Sequence, residues 1–219
     1  MNDRQMQDNE RVTNNAREIR RLIAASMDGV TAEKMRQNGI GYAKNFGVAL
    51  PRLREIAAQF QPDALLATAL WQIGSRESMI AALLLTPPDS LTLAEATQLT
   101  EKLPTNELTE IAAANLFAKM PNAAEFVAQM AEKGGQKGLF VAICTATHAA
   151  NRLSDALLER LAQKIGESDL DMATANAATT LFMRLGEMPQ HQNCAANAIN
   201  TLRQSPNALC QRMAEWLSC

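Results

Sequence analysis

Aromatic residues are scarce, making up 4% of the 219 residues, with two tryptophans and one tyrosine among them. A core short of aromatics must be filled by Ala, Leu, Ile and Met. These are strong helix formers, and too few β-branched and aromatic strand formers remain to build a sheet. Cysteine is also sparse: Cys144, Cys194, Cys210 and Cys219 form no CxxC pair, and the two accessible histidines, His148 and His191, lie at no metal-ligand spacing from them. That pattern argues against a zinc site and reads as small buried hydrophobes plus a frayed terminal thiol at Cys219. No apolar run approaches the roughly 20 residues of a membrane span. The opening MNDRQMQDNERVTNN has no apolar signal core, so a soluble, cytoplasmic protein without membrane contact is expected. The formal net charge is only -2. Wholesale attraction to nucleic acid is therefore excluded, and any such contact must come from a local patch. A phosphate-binding P-loop, a dinucleotide fingerprint and a Ser–His–Asp grouping are all missing.

What is present is helical punctuation. Proline recurs at an interval of seventeen, from Pro87 to Pro104, from Pro104 to Pro121 and from Pro189 to Pro206. Proline is tolerated in the first turn of a helix and breaks its interior, so each interval fits one helix and a short turn. Two intervals make the period of a helical repeat array. The intervening segments agree. Leu65, Leu66, Ala69, Leu70 and Ile73 fall on one stripe, as do Leu108, Ile111, Ala112, Asn115 and Leu116. Ser75, Thr105 and Ser154 stand as N-caps, Glu77 falls in the first turn after Ser75, and Gly29 and Gly166 stand as stops. The expectation is an all-α solenoid of twelve or thirteen helices in HEAT-like antiparallel pairs. It forms one continuous domain over 1–219, curved with a concave face, behind a frayed leader at 1–12.

One stretch departs from this plainness. GIGYAKNFGVALPRLREIAAQF, Gly39 to Phe60, opens on glycines, holds the single tyrosine and meets its first acid at Glu55. Lys34, Arg36, Lys44, Arg52 and Arg54 fall in a window without Asp or Glu, whereas beyond Glu77 acids outnumber bases. Such a cluster could meet several phosphates, each contact adding salt-sensitive, sequence-independent affinity. Gly39, Gly41 and Gly47 would let backbone amides approach an anion, with Pro51 setting a helix N-terminus beside it. A solvated cationic face is the plainer alternative. Tyr42 fits stacking, hydrogen bonding or an interface anchor. Trp71 reads as core and His148 as a hydrogen-bonded histidine at a helix end.

MRQNGIGYAKNFGVALPRLREIAAQF, followed by ALLATALWQIGSRESMIAALLL, resembles the N-terminal half of the DNA alkylation repair family, the HEAT-like alkylpurine DNA glycosylases. The elements that carry the resemblance are Phe46-Gly47-Val48, Leu53 to Ala57, Leu70-Trp71 and Arg76-Glu77. Asn115-Leu116-Phe117 and Thr179 to Glu187 resemble later family helices. The likeness runs from about Ile19 to Gly186 and points to a divergent branch.

The resemblance implies a groove that excises cationic alkylated bases. An aromatic and, four residues on, an aspartate face it from one helix, a second aromatic comes from a later helix, and an arginine holds phosphate. The aspartate stabilises positive charge developing on the sugar, and the aromatics pack the lesion. Transferred to this sequence, the aspartate's place falls on Glu110, the first aromatic's on Asn106, the second's near Thr180 and the arginine's on Lys137. The carboxylate and the cation persist in altered form, while both aromatics are replaced. Glu110 also reads as a solvent-facing residue one turn from Glu107. If catalysis persists, Glu110 is its charge stabiliser, with no metal or organic cofactor. The residues expected on the backbone of double-stranded DNA are Lys44, Arg52, Arg54, Arg76, Lys137 and Arg184. The competing reading is a scaffold that has exchanged base chemistry for a protein partner, which the acidic bulk and the lost aromatics favour.

Overall fold

The computed structural model describes residues 3–133 and 135–218, all of them in helices, turns and irregular connections. Cys219, the expected frayed thiol, lies outside the described residues. Thirteen α-helices follow one another among the described residues: α1 (Asp3–Ala25), α2 (Gly29–Gln37), α3 (Leu50–Ala57), α4 (Ala64–Ile73), α5 (Arg76–Leu85), α6 (Leu93–Lys102), α7 (Asn106–Asn115), α8 (Ala123–Glu132), α9 (Gly135–Ala149), α10 (Asp155–Glu167), α11 (Met172–Glu187), α12 (Gln192–Arg203) and α13 (Ala208–Trp216). No described helix is long and apolar enough to cross a membrane.

Each proline interval holds one α-helix of ten to twelve residues and one 3-10 turn. The caps act as their chemistry dictates. Ser75 forms a capping box with Ser78, the Thr105 hydroxyl accepts from Leu108 N, and the Ser154 hydroxyl accepts from Leu157 N. Two stops differ. Gly29 opens α2 instead of closing α1, because the Asp28 carboxylate accepts from Val30 N and Thr31 N and starts a new helix. Gly166 lies inside α10, which continues to Glu167, and its carbonyl accepts from the Ser205 hydroxyl. The polar leader is helical from Asp3, and Arg11 on it pairs with Asp63.

The helices form two compact units, one of α1–α5 with α7 and the other of α6 with α8–α13. In the first, α5 packs on α3, α4 and α7, and α1 packs on α3 and α4. Ile19, Leu53, Ile56, Leu66, Leu70 and Ile80 are fully buried there. Burying each such side chain contributes roughly 1.5–3 kcal/mol. The stripe on α4 runs through Leu66, Ala67 and Leu70, and Leu65 points outward with 57% exposure. In the second unit, helices pack on the next but one in sequence, α6 on α8, α8 on α10, α10 on α12, and likewise α9 on α11 and α11 on α13. This is the neighbour-to-neighbour pairing of a helical repeat. Arg152 joins two turns here by donating to the carbonyls of Ala118 and Met120 at 2.7 and 2.8 Å.

Candidate functional site

The glycine-rich loop is built from both of its ends. At the end of α2 the chain turns on Gly39, whose φ of 73° is a left-handed conformation that glycine adopts without steric cost. At Gly47, φ is 71° and a Cβ would fall 2.1 Å from the Asp28 carbonyl oxygen and 2.7 Å from Ala32 N. Only glycine allows this approach. It lays the loop against the start of α2, where Asp28 N donates to the Phe46 carbonyl at 2.9 Å. Pro51 then opens α3 with its fixed φ.

The loop's amides do meet an anion, but an internal one. Phe46 N and Val48 N donate to the two oxygens of Glu77 at 3.1 and 3.3 Å, and Gly47 N donates to Asn45 Oδ1 at 2.8 Å. An arrangement expected to receive an external phosphate is occupied by a carboxylate of the chain itself. Glu77 is wholly buried, so its charge requires these donors together with Arg76, whose Nη1 lies 3.2 Å from it.

Arg76, expected on the DNA backbone, is instead interior, with 2% exposure. Its guanidinium forks onto Glu107, with Nε 2.9 Å from Oε2 and Nη2 on Oε1, while Nη1 donates to the Val48 carbonyl at 2.9 Å. Its backbone N–H donates to the Lys44 carbonyl at 2.9 Å. Tyr42 completes the cluster, its hydroxyl 2.6 Å from Glu107 Oε2 and 2.7 Å from Thr105 Oγ1. The loop is thus clamped to the N-termini of α5 and α7 by five side chains spaced over more than sixty residues. Burial favours the neutral acid at Glu107, yet the bonds from Arg76 and Tyr42 outweigh it and hold the carboxyl below its ordinary range. Burial, reinforced by the bond to Glu107, keeps the Tyr42 phenol protonated far above its usual range.

The clamp presents the remaining cations outward. Lys34, Arg36, Lys44, Arg52 and Arg54 are all exposed. The acids at the edges of the window neutralise two of them: Glu33 takes Arg36 in a fork, and Glu55 takes Arg52 at 2.8 Å. Lys34, Lys44 and Arg54 have no ion-pair partner among the described residues. In the other unit, Lys137 is exposed in the first turn of α9, with Nζ 3.2 Å from the Glu101 carbonyl, and Arg184 is exposed in the last turn of α11.

Asn106 and Glu110, one turn apart on α7, are both exposed. Although Glu110 reaches solvent, the protein mass around it withdraws water, and the neighbouring Glu107 carboxylate adds repulsion, so its pKa is raised. Glu107 is therefore no ordinary exposed residue, and the two acids of this turn are pushed in opposite directions. Thr180 is exposed on α11 and its hydroxyl donates to the Asn176 carbonyl at 3.0 Å. Trp71 is half-buried, and His148 is exposed in the last turn of α9. His191 is buried, not accessible, with Nδ1 2.6 Å from Asp155 and Nε2 3.0 Å from the Ala150 carbonyl. Burial, with Asp155 and Glu159 nearby, pushes the Cys194 thiol up to about 11, so it is no nucleophile at neutral pH. Among the described residues no group of three His, Cys, Asp or Glu is assembled that could hold a metal.

A family model described as DNA alkylation repair enzyme matches residues 19–132. This stretch takes in α2 to α8 and the whole clamp. A search of the curated proteins returned no match. One solved structure superposes with a TM-score of 0.73 at 12% identity, covering 92% of this chain and 93% of its own. It is described as belonging to a new family of proteins related to the HEAT-like repeat DNA glycosylases with affinity for branched DNA structures. The likeness establishes a shared all-α, HEAT-like fold.

Proposed function

Because the chain belongs to the DNA alkylation repair family, we propose that it binds DNA by its backbone and does not retain alkylpurine excision. The observation that carries the binding half is the clamped loop. A cation at the end of a fixed loop loses little conformational freedom when it meets a phosphate. Lys44 sits on such a loop, with Lys34 and Arg54 nearby in sequence and no counter-ion for any of the three among the described residues. Arg52 joins them by exchanging an exposed, weak ion pair for a phosphate. Lys137 and Arg184 are the corresponding candidates in the second unit. Arg76 leaves the set and becomes a positioning residue for the loop.

The chemical half rests on what surrounds Glu110. A carboxylate stabilises developing positive charge on a sugar only if the lesion is held beside it in fixed geometry. Asn106 and Thr180 stand at the two places where the family resemblance calls for aromatic rings, and neither offers a π-face. The structurally similar protein with affinity for branched DNA supports the same direction, a family fold used for DNA binding.

The test pairs two measurements. Lys44→Ala/Arg54→Ala should weaken duplex binding at low salt by about tenfold or more, while a duplex carrying N7-methylguanine should release no free base with either protein. Unchanged affinity in the double variant would remove the loop from the interface. Base release by wild type that disappears in Glu110→Gln would restore the enzymatic reading.

A further inference from the structure

The same loop borders an open recess, with Lys44 on its rim. Between α2 and residues 40–46 lies a recess of about 440 Å³, within the roughly 300–1,000 Å³ range of small-ligand sites. Its lining includes Glu33, Arg36, Ile40, Tyr42, Lys44 and Phe46. The apolar part is held still. Tyr42 is tied at its hydroxyl to Glu107 and Thr105, so its ring cannot swing away. Phe46 is fixed through both backbone groups, its N–H on Glu77 and its carbonyl on Asp28 N. Ile40 stands partly open, at 38% exposure. The polar part carries both signs. Lys44 and Arg36 are cationic, and Glu33, which orients Arg36 through bonds of 2.6 and 2.9 Å, is an acceptor.

Rings and an aliphatic wall beside two cations and one fixed acceptor fit a nucleotide. A nucleotide has a flat face for the wall, a phosphate for the cations and, on most bases, an exocyclic amino group for the carboxylate. A base stacked and paired inside a duplex presents none of its face, whereas an unpaired one does. We propose that this recess takes one unpaired nucleotide of a DNA strand, the base against Ile40, Tyr42 and Phe46 and its phosphate on Lys44 and on Arg36 Nη1, which the fork onto Glu33 leaves open. The inference rests on the DNA-binding reading above and adds to it a preference for DNA with a base out of the stack.

The probe is a duplex with one extra, unpaired 5-iododeoxycytidine, whose amino group can meet Glu33, compared with the fully paired duplex of the same sequence. Wild type should bind the bulged duplex about tenfold more tightly, the scale of one stacked base. Irradiation should crosslink the iodinated base to a residue between Ile40 and Phe46. Ile40→Glu, a change at an exposed position that brings a carboxylate to the wall, should bring the affinity ratio to about one, as should Lys44→Gln. Equal binding of the two duplexes by wild type, a crosslink mapped elsewhere, or a ratio kept in both variants would each overturn the recess while leaving DNA binding intact. Failure to bind either duplex at low salt would overturn the DNA-binding reading itself.

Discussion

Arg76 is the residue on which the first unit turns. Its charge is buried beside Glu77 and Glu107, where desolvation is costly and only a near-complete set of hydrogen bonds compensates. Replacing it with alanine strands two carboxylates, one of them fully buried, and should destabilise the protein by about 3–5 kcal/mol in a denaturant titration. Arg76→Lys keeps the charge, loses the fork and should recover only part of that loss. The acids of α7 offer a contrast in pH. Glu107 has a lowered pKa, so its contribution to stability is complete above the ordinary carboxylate range of about 4.3 and fades as the pH falls through that value and below it. The thermal midpoint of Glu107→Gln should therefore lie well below wild type at pH 7 and converge with it in acid. Glu110 has a raised pKa, so its ionised form opposes folding at neutral pH. Glu110→Gln should be at least as stable as wild type at pH 7, with the gain shrinking as the pH drops below the raised value and vanishing below the ordinary carboxylate range. Opposite signs from two acids one turn apart would check the clamp without reference to DNA.

At the scale of elements, the loop depends on α2 and α5 together. A side chain at Gly47 would collide with the Asp28 carbonyl, which the helix start fixes in place, so no side-chain movement can relieve it. Gly47→Ala should cost at least about 2 kcal/mol, combining the clash with a left-handed backbone, and should also weaken DNA binding by displacing Lys44. Thr105→Ala removes the cap of α7 and one partner of Tyr42, and should cost about 1 kcal/mol by thermal melting. Much of this level was legible in the sequence. Caps and proline punctuation act within one turn of their own position, so Ser75, Thr105, Ser154 and the seventeen-residue proline interval locate their helices directly. The clamp was not legible, because Arg76 and Glu107 lie thirty-one residues apart and no local pattern says which exposed-looking charges will pair. The sequence shows the charge of Arg76 and not its direction, and for this reason it reads as a surface residue although it is buried, whereas Lys44 and Arg54 are exposed. Leu65 differs for a related reason: spacing puts it on the apolar stripe, whereas the packing of α1 and α5 on α4 decides which face is buried.

For the whole molecule, residues 19–132 carry family membership, and the chain as a whole shares a HEAT-like fold. On the proposed function, affinity for DNA comes from exposed cations on well-braced supports. The chain's low net charge makes the distribution of those cations decisive. The most direct measurement is equilibrium binding of duplex DNA over a range of salt concentrations, with wild type beside Lys44→Ala/Arg54→Ala. The account predicts a linear fall of log affinity with log salt, and a slope shallower by about two in the double variant, near 0.9 for each phosphate contact removed. Absence of binding at low salt, or an identical slope in both proteins, would contradict it.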